Sequence, residues 1–258
     1  MKGQLSQPAL SLLGGLADFV FPPFCAACHG RMPQGQRGAI CAACWNGYQR
    51  WPENACQRCG QALRASPAAV GFPLRQDEVL CERCRIPDWG CSGIRTPGPF
   101  KKPVADAVHL LKYSDRRSVA RDLAAMMAGA AGADLAYRQA DLVLAVPLHA
   151  ARLRERGYNQ AQLLADQLGR ILGKPSPAGV LARARHTDSQ TALNRQQRQE
   201  NVRDIFRVRR PQAVRGKSVI LVDDVLTTGA TIGSCGQALL SAGATAVLAL
   251  TAAAAPLD

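Results

Sequence analysis

Acidic side chains are scarce in this chain: 19 Asp and Glu stand against 32 Lys and Arg, a formal charge of +13 over 258 residues. That deficit favours an anionic partner, whether nucleic acid, phosphorylated metabolites or a membrane surface, and carries no information about fold. Aromatic residues are also few, with three Trp, four Tyr and six Phe. This leaves little material for base stacking beyond the cluster Trp45, Tyr48 and Trp51, which is also suited to covering a small metal module. Long hydrophobic runs are missing. The apolar stretch from about Ala9 to Phe21 is interrupted by Ser11, two glycines and Asp18, and is too short and broken to cross a bilayer. It reads as an amphipathic lead-in helix rather than a signal peptide, so a cytoplasmic protein without a membrane span is expected. Two nucleotide signatures are absent, the Walker pattern G-x-x-x-x-G-K-[ST] and the dinucleotide turn G-x-G-x-x-G.

Cysteine, by contrast, is abundant and ordered. Eight of the ten cysteines form four C-x-x-C pairs: Cys25/Cys28, Cys41/Cys44, Cys56/Cys59 and Cys81/Cys84, leaving Cys91 and Cys235 over. A knuckle at that spacing points two thiolates at one metal, whereas a secreted disulfide scaffold does not repeat one two-residue spacing. The expectation is structural zinc, about two ions per chain, each closed to water by four thiolates. The simplest pairing is sequential, with Cys25, Cys28, Cys41 and Cys44 at one ion and Cys56, Cys59, Cys81 and Cys84 at the other; a cross-braced pairing is also compatible with the spacing. Eight thiolates and two zinc ions lower the net charge to about +9, and that surplus falls in residues 96–258.

Along the chain, residues 1–24 form the helical lead-in, 25–95 the double zinc ribbon, and 96–258 a larger regular domain. The ribbon has little periodicity of its own and would draw its folding energy from metal. After it, Pro103 opens a helix with Val104, Ala107, Val108 and Leu111 at helical spacing. Asp115 is placed to cap a second helix through about Ala130. Leu142–Val146 reads as a buried strand, about Tyr158 to Leu172 as a helix, and Ile205–Val208 and Ser218–Val222 as strands. Ile232–Ala242 reads as a helix and Thr245–Leu250 as a last strand. Such alternation predicts an α/β domain with a mostly parallel sheet and helices on its faces.

The strongest local signal is V-I-L-V-D-D-V-L-T-T-G-A-T, residues 219–231. Four apolar residues make a strand buried on both faces, and Asp223 and Asp224 sit where it ends, at the edge where open α/β sheets bind ligands. Thr227, Thr228, Gly229, Ala230 and Thr231 follow, immediately before a helix. Small residues let the backbone wrap a phosphate, hydroxyls add donors, and the helix N-terminus adds aligned N–H groups. Carboxylates do not favour phosphate, so they require hydroxyl donors, and ribose beside a 5′-phosphate supplies both.

This segment resembles the phosphoribosyl pyrophosphate (PRPP) motif of type I phosphoribosyltransferases. That resemblance implies that Asp223 and Asp224 hold the ribose hydroxyls and stabilise positive charge developing on the sugar, with Thr227 to Thr231 gripping the 5′-phosphate. It also implies Mg²⁺ accompanying PRPP. V-P-L-H-A-A-R-L-R-E-R-G-Y-N-Q-A, from Val146, resembles the pyrophosphate loop of those enzymes, with Arg152 and Arg156 as contacts in a loop before the helix near Tyr158. Arg183–Asn201 resembles a mobile lid, within which His186 reads as a solvent-exposed loop histidine. With the four C-x-x-C pairs, L-K-Y-S-D near residue 111, R-E-R-G-Y-N-Q-A at 154–161, T-x-x-Q-T at 187–191 and R-x-x-N-V at 198–202, the chain is similar to the ComF family of competence proteins. The resemblance implies a type I-like phosphoribosyltransferase domain behind a double zinc ribbon, acting with other competence proteins on single-stranded DNA in natural transformation. Arg183 to Lys217 carries ten basic and three acidic residues, in keeping with phosphate contact. Three functions stay open: a phosphoribosyltransferase of nucleotide salvage with an unknown acceptor, a nucleic-acid-handling module, and a non-catalytic sensor of PRPP or a nucleotide. No segment for base recognition is recognisable.

Overall fold

A computed structural model describes residues 23–33, 36, 38–51, 56, 80, 81, 84, 90–132, 134–183 and 205–255. The lead-in helix, Cys59, His186 and nearly all of the lid segment lie outside the described residues. The chain divides into two compact units, one from residues 1–48 and 101–119, the other from 49–100 and 120–258.

In the first unit the opening knuckle is a tight reversal. The Cys25 N–H donates to Gly30 O at 2.9 Å and His29 N–H to Cys25 O at 2.8 Å, and Phe24 bridges Arg31 antiparallel. His29 takes a positive φ of 58° to complete the turn. The second knuckle enters a short helix, α1 (Ala42–Asn46), with Cys41 as its N-cap. Helix α2 (Val104–Tyr113) buries Val104, Ala107, Val108 and Leu111, the face its spacing predicts, and Pro103 stands at its N-cap. Asp115 does not cap the next helix. It adopts φ 49° in the turn between them and pairs with Arg117 at 2.7 Å, so helix α3 (Val119–Ala131) starts three residues later than an Asp115 cap would set it.

The second unit is built on a sheet, parallel throughout, whose strands lie in the order Gly93–Arg95, Ala246–Ala254, Ser218–Leu226 and Leu142–Ala145. Strand β1 (Gly93–Arg95) is followed in the chain by helix α4 (Leu135–Gln139) and strand β2 (Leu142–Ala145). Helices α5 (Ala150–Arg156) and α6 (Gln160–Leu172) come next. Strands β3 (Leu181–Arg183) and β4 (Phe206–Val208) pair antiparallel. Strand β5 (Ser218–Leu226), helix α7 (Ala230–Ser241) and strand β6 (Ala246–Ala254) complete the unit.

One face of this sheet carries the row Ile94, Ala249, Leu221 and Leu144, one residue from each strand. All four lie in a core cluster that also takes in Ile232, Cys235 and Leu239 from α7. Apolar alternation on β5 and β6 thus seats α7 over the sheet. Tyr137 of α4 is buried and its hydroxyl donates to Ala249 O at 3.0 Å; burial pushes its pKa up, so the phenol stays a donor. At the far end of β5, Asp141 accepts from both the backbone N–H and the hydroxyl of Ser218, at 2.7 and 2.8 Å.

Candidate ribose-phosphate site and metal centres

Strand β5 runs further than its apolar stretch. Its pairing with β2 stops at Val222, where the Val146 N–H donates to Val222 O at 2.9 Å, but pairing with β6 continues through Asp223↔Thr251 to Leu226↔Ala254. The acids therefore lie within an extended strand and not after its end, as the sequence reading had it. They are nevertheless beyond the end of β2, which opens one side of them. Pleat alternation separates the two: Asp223 is half-buried, whereas Asp224 is 5 % exposed. Asp223 also accepts from the backbone N–H of Asp224 at 2.8 Å.

The loop that follows is short. Gly229 caps α7 at φ 83°, a left-handed conformation that glycine supplies without strain. The Thr228 hydroxyl accepts from the Ala230 N–H at 3.4 Å. Thr227, Thr228, Ala230 and Thr231 are exposed, so the loop presents hydroxyls and the first turn of α7 to an incoming ligand. Beneath it Cys235 is fully buried. Burial pushes that thiol well up and the Asp223 charge adds to the shift, while Arg183 opposes it. Arg183 and Asp223 thus act on one buried group from two elements. Arg183 also lies over the Phe206 ring at 5.6 Å, across the β3–β4 pair.

Arg152 and Arg156 sit on helix α5, where the sequence reading expected a loop. His149 caps this helix through Nδ1, which accepts from the Ala151 N–H at 3.2 Å, and Gly157 ends it at φ 77°. Residues 152 and 156 are one helical turn apart and share a face. Arg152 is exposed, and Arg156 donates from Nη1 to Gln160 Oε1 at 2.6 Å. The following helix starts at Gln160, capped by Asn159, whose Nδ2 donates to Val146 O at 2.9 Å. Both connections, after β2 and after β5, thus leave the sheet at neighbouring strand ends. A cleft of about 340 Å³ adjoins α5, lined by Leu148, Leu153, Asn159, Val180, Arg183 and Arg209.

The thiols gather in the sequential order, not the cross-braced one. Cys25, Cys28, Cys41 and Cys44 form one group, Cys56, Cys81 and Cys84 another, with sulfurs in each group within 4.8 Å. In the first, Cys25–Cys44 and Cys28–Cys41 sulfurs are each 3.9 Å apart. Four sulfurs around zinc at about 2.3 Å stand roughly 3.8 Å apart in a tetrahedron, so the set fits the ion. Its protonation pattern points the same way. Burial works to raise the Cys25 pKa, but N–H groups of Cys41, Cys28 and Ala27 hold it down at about 6, while Cys44, bonded to Cys41, is pushed up to about 12. Without a cation the cluster tolerates little negative charge; a divalent ion lets all four thiolates form. The second group is buried within the core cluster that includes the inner face of α7. Sequence reading missed how that cluster is closed: a Cβ on Gly236 would lie 1.9 Å from Gly90 O, and one on Gly90 2.3 Å from Gly233 O. Only glycines allow this approach, and no local pattern announces it.

A double zinc ribbon domain model matches residues 16–85, and a phosphoribosyl transferase domain model matches residues 153–256. Together with the parallel sheet and the cysteine groups they define the class, a phosphoribosyltransferase-type domain joined to a double zinc ribbon. The chain is 30% identical over 231 residues to the DNA utilization protein YhgH of Escherichia coli K12, covering 88% of this chain and 94% of that protein. It is 28% identical over 229 residues to Competence protein F of Haemophilus influenzae, covering 85% and 91%. With Competence protein ComFC of Bacillus subtilis it shares 31% identity over 102 residues, or 40% and 39%. A solved structure titled as the allosteric regulatory enzyme of purine biosynthesis matches with a TM-score of 0.41 and 22% identity, over 57% of this chain and 30% of that one. The chain belongs to the ComF family. Among the described residues no helix is long and apolar enough to cross a membrane.

Proposed function

We propose that the chain binds PRPP at the β5–α7 connection and works in the handling of single-stranded DNA during natural transformation. The observation that carries the first half is the intact pairing of two acids on β5 with an exposed Thr-rich turn at the start of α7. Asp223 and Asp224 accept from the ribose hydroxyls, and Thr227, Thr228, Gly229, Ala230 and Thr231 hold the 5′-phosphate through hydroxyl and backbone donors. Arg152 and Arg156 bind the pyrophosphate from the α5 side, as fork donors suited to phosphate. Mg²⁺ bound with PRPP would neutralise charge on the departing pyrophosphate. Fixed carboxylates beside the sugar stabilise the positive charge that develops as the C1′–O bond lengthens. Zinc at Cys25, Cys28, Cys41 and Cys44, and at Cys56, Cys81 and Cys84 with Cys59 as fourth ligand, is structural.

The DNA half of the proposal is supported by the names carried by the relatives, DNA utilization protein and competence protein, and by the basic surplus of residues 96–258. Asp223→Asn combined with Asp224→Asn is expected to abolish PRPP binding in calorimetry while leaving about two zinc per chain. Unchanged PRPP affinity would remove the pocket assignment. Pyrophosphate release from PRPP, assayed over candidate acceptors with and without single-stranded DNA, then separates a transferase from a sensor.

A further inference from the structure

The core row Ile94, Ala249, Leu221 and Leu144 has a continuation two residues on, towards the carboxyl ends of the strands. Asp223 pairs with Thr251 across β5 and β6. Thr96 follows Arg95, whose partner is Leu250, and so stands beside Thr251. Val146 follows Ala145, whose partner is Val222. Thr96, Thr251, Asp223 and Val146 thus form one row on the face that α7 covers. At its outer end stands Trp51. Its indole Nε1–H donates to Thr96 Oγ1 at 2.8 Å, its backbone N–H donates to Pro97 O at 3.1 Å, and its half-buried ring packs on the core cluster of that face. Thr96 is 4 % exposed, so the bond that holds the indole is itself shielded. Two strand spacings, about 10 Å, separate Thr96 from Asp223.

Displacement at C1′ constrains what can use that geometry. The attacking lone pair enters opposite the bond that breaks. Pyrophosphate lies on the β2 side of Asp223, where α5 carries Arg152 and Arg156, so the nucleophile enters from the β6–β1 side. We infer that Trp51 is the stacking wall for the acceptor, a planar heteroaromatic ring, which comes either as a free nucleobase or as a base within single-stranded DNA. The inference rests on PRPP occupying the Asp223 site. In the step, a ring nitrogen lone pair forms the bond to C1′, the C1′–O bond breaks with its electrons passing to pyrophosphate, and the reacting nitrogen releases its proton to solvent: the ring N–H of a free base, or the one that thymine (N3) or guanine (N1) keeps within a strand. An indole offers a π-face to any base without reading its edge, which suits a wide or sequence-tolerant acceptor range. The ribbon-side segment thereby supplies a recognition element for which no segment is recognisable in the sequence of the regular domain.

The test uses the full zinc-loaded chain with saturating PRPP. Its probes are 2-aminopurine free base and a single-stranded oligonucleotide carrying one 2-aminopurine, whose fluorescence falls on stacking. Quenching and saturable binding of either probe is expected; the free base alone identifies a small acceptor, the oligonucleotide alone a base in a strand. Trp51→Leu is expected to weaken that binding about tenfold, the scale of one lost base–aromatic stack, with PRPP affinity and zinc content unchanged. Trp51→Phe keeps a π-face and is expected to stay within about threefold of the parent; should the leucine variant lose its zinc, Trp51→Met, which fills a similar volume without a π-face, takes its place and is expected to show the same tenfold loss. Equal affinity in all three proteins, or no binding of either probe to PRPP-loaded chain, overturns the role of Trp51 and leaves the pocket intact. Failure of PRPP itself to bind overturns both.

Discussion

Asp223 and Asp224 are adjacent in the chain but face different surroundings. Asp223 shares its side of the sheet with Cys235 and Thr251, whereas Asp224 is turned to the other side and buried. Their separation by the pleat explains why both belong to one ligand edge without sharing one environment. At the opposite end of the same strand, Asp141 fixes where β5 begins. Its pKa is lowered, chiefly by the Ser218 backbone N–H and then by the Ser218 hydroxyl. A depressed folded pKa contributes stability above the unfolded value of about 3.9 and loses it only as pH falls through the folded value. Asp141→Ala is therefore expected to lower the denaturation midpoint by the same amount at pH 5 and pH 7. A decrement that shrinks between those two values would contradict this account.

Among elements, α7 ties the second unit together, because its first turn faces the ligand edge and its inner face shares a core cluster with the second thiol group. The contact of Gly90 with Gly233 and Gly236 sets how near it lies. Gly236→Ala would push α7 away from Gly90, and overpacking of this kind costs about 1–3 kcal/mol. The expected result is a lower melting temperature together with weaker PRPP binding, measured by calorimetry; a variant with native PRPP affinity would show the seam to be irrelevant to the loop. Sequence reading placed β5, α7 and β6 because apolar runs and a Gly turn leave little choice there. It overlooked α5, since A-A-R-L-R-E-R has no apolar stripe and is held by caps at His149 and Gly157. Strands β1 and β3 escaped it too, each being three residues long and made a strand by its neighbour alone. The acids of the candidate site were legible residue by residue. Trp51 was noticed beside a knuckle, but its bond to Thr96, 45 positions away, leaves no trace in local pattern.

For the molecule as a whole, the two compact units are not consecutive stretches. The chain leaves the first unit after Tyr48, returns to it at Lys101, and leaves again after Val119. The family models, matching residues 16–85 and 153–256, leave out the strand that closes the sheet at Gly93–Arg95. A chain shortened to residues 96–258 keeps β6 but loses β1, exposing a long apolar edge strand. It is expected to aggregate on purification, whereas a chain beginning at residue 49 and supplied with zinc keeps that edge paired; light scattering of the two distinguishes the outcomes. A soluble, monomeric 96–258 fragment would refute the dependence on β1.

The same interleaving bears on inheritance. A recombination event at the border between ribbon and transferase would pair one lineage's β1 and Trp51 with another lineage's β6 and Thr96. Exchange between lineages is workable only as one piece, so ribbon and transferase are expected to share a single phylogeny.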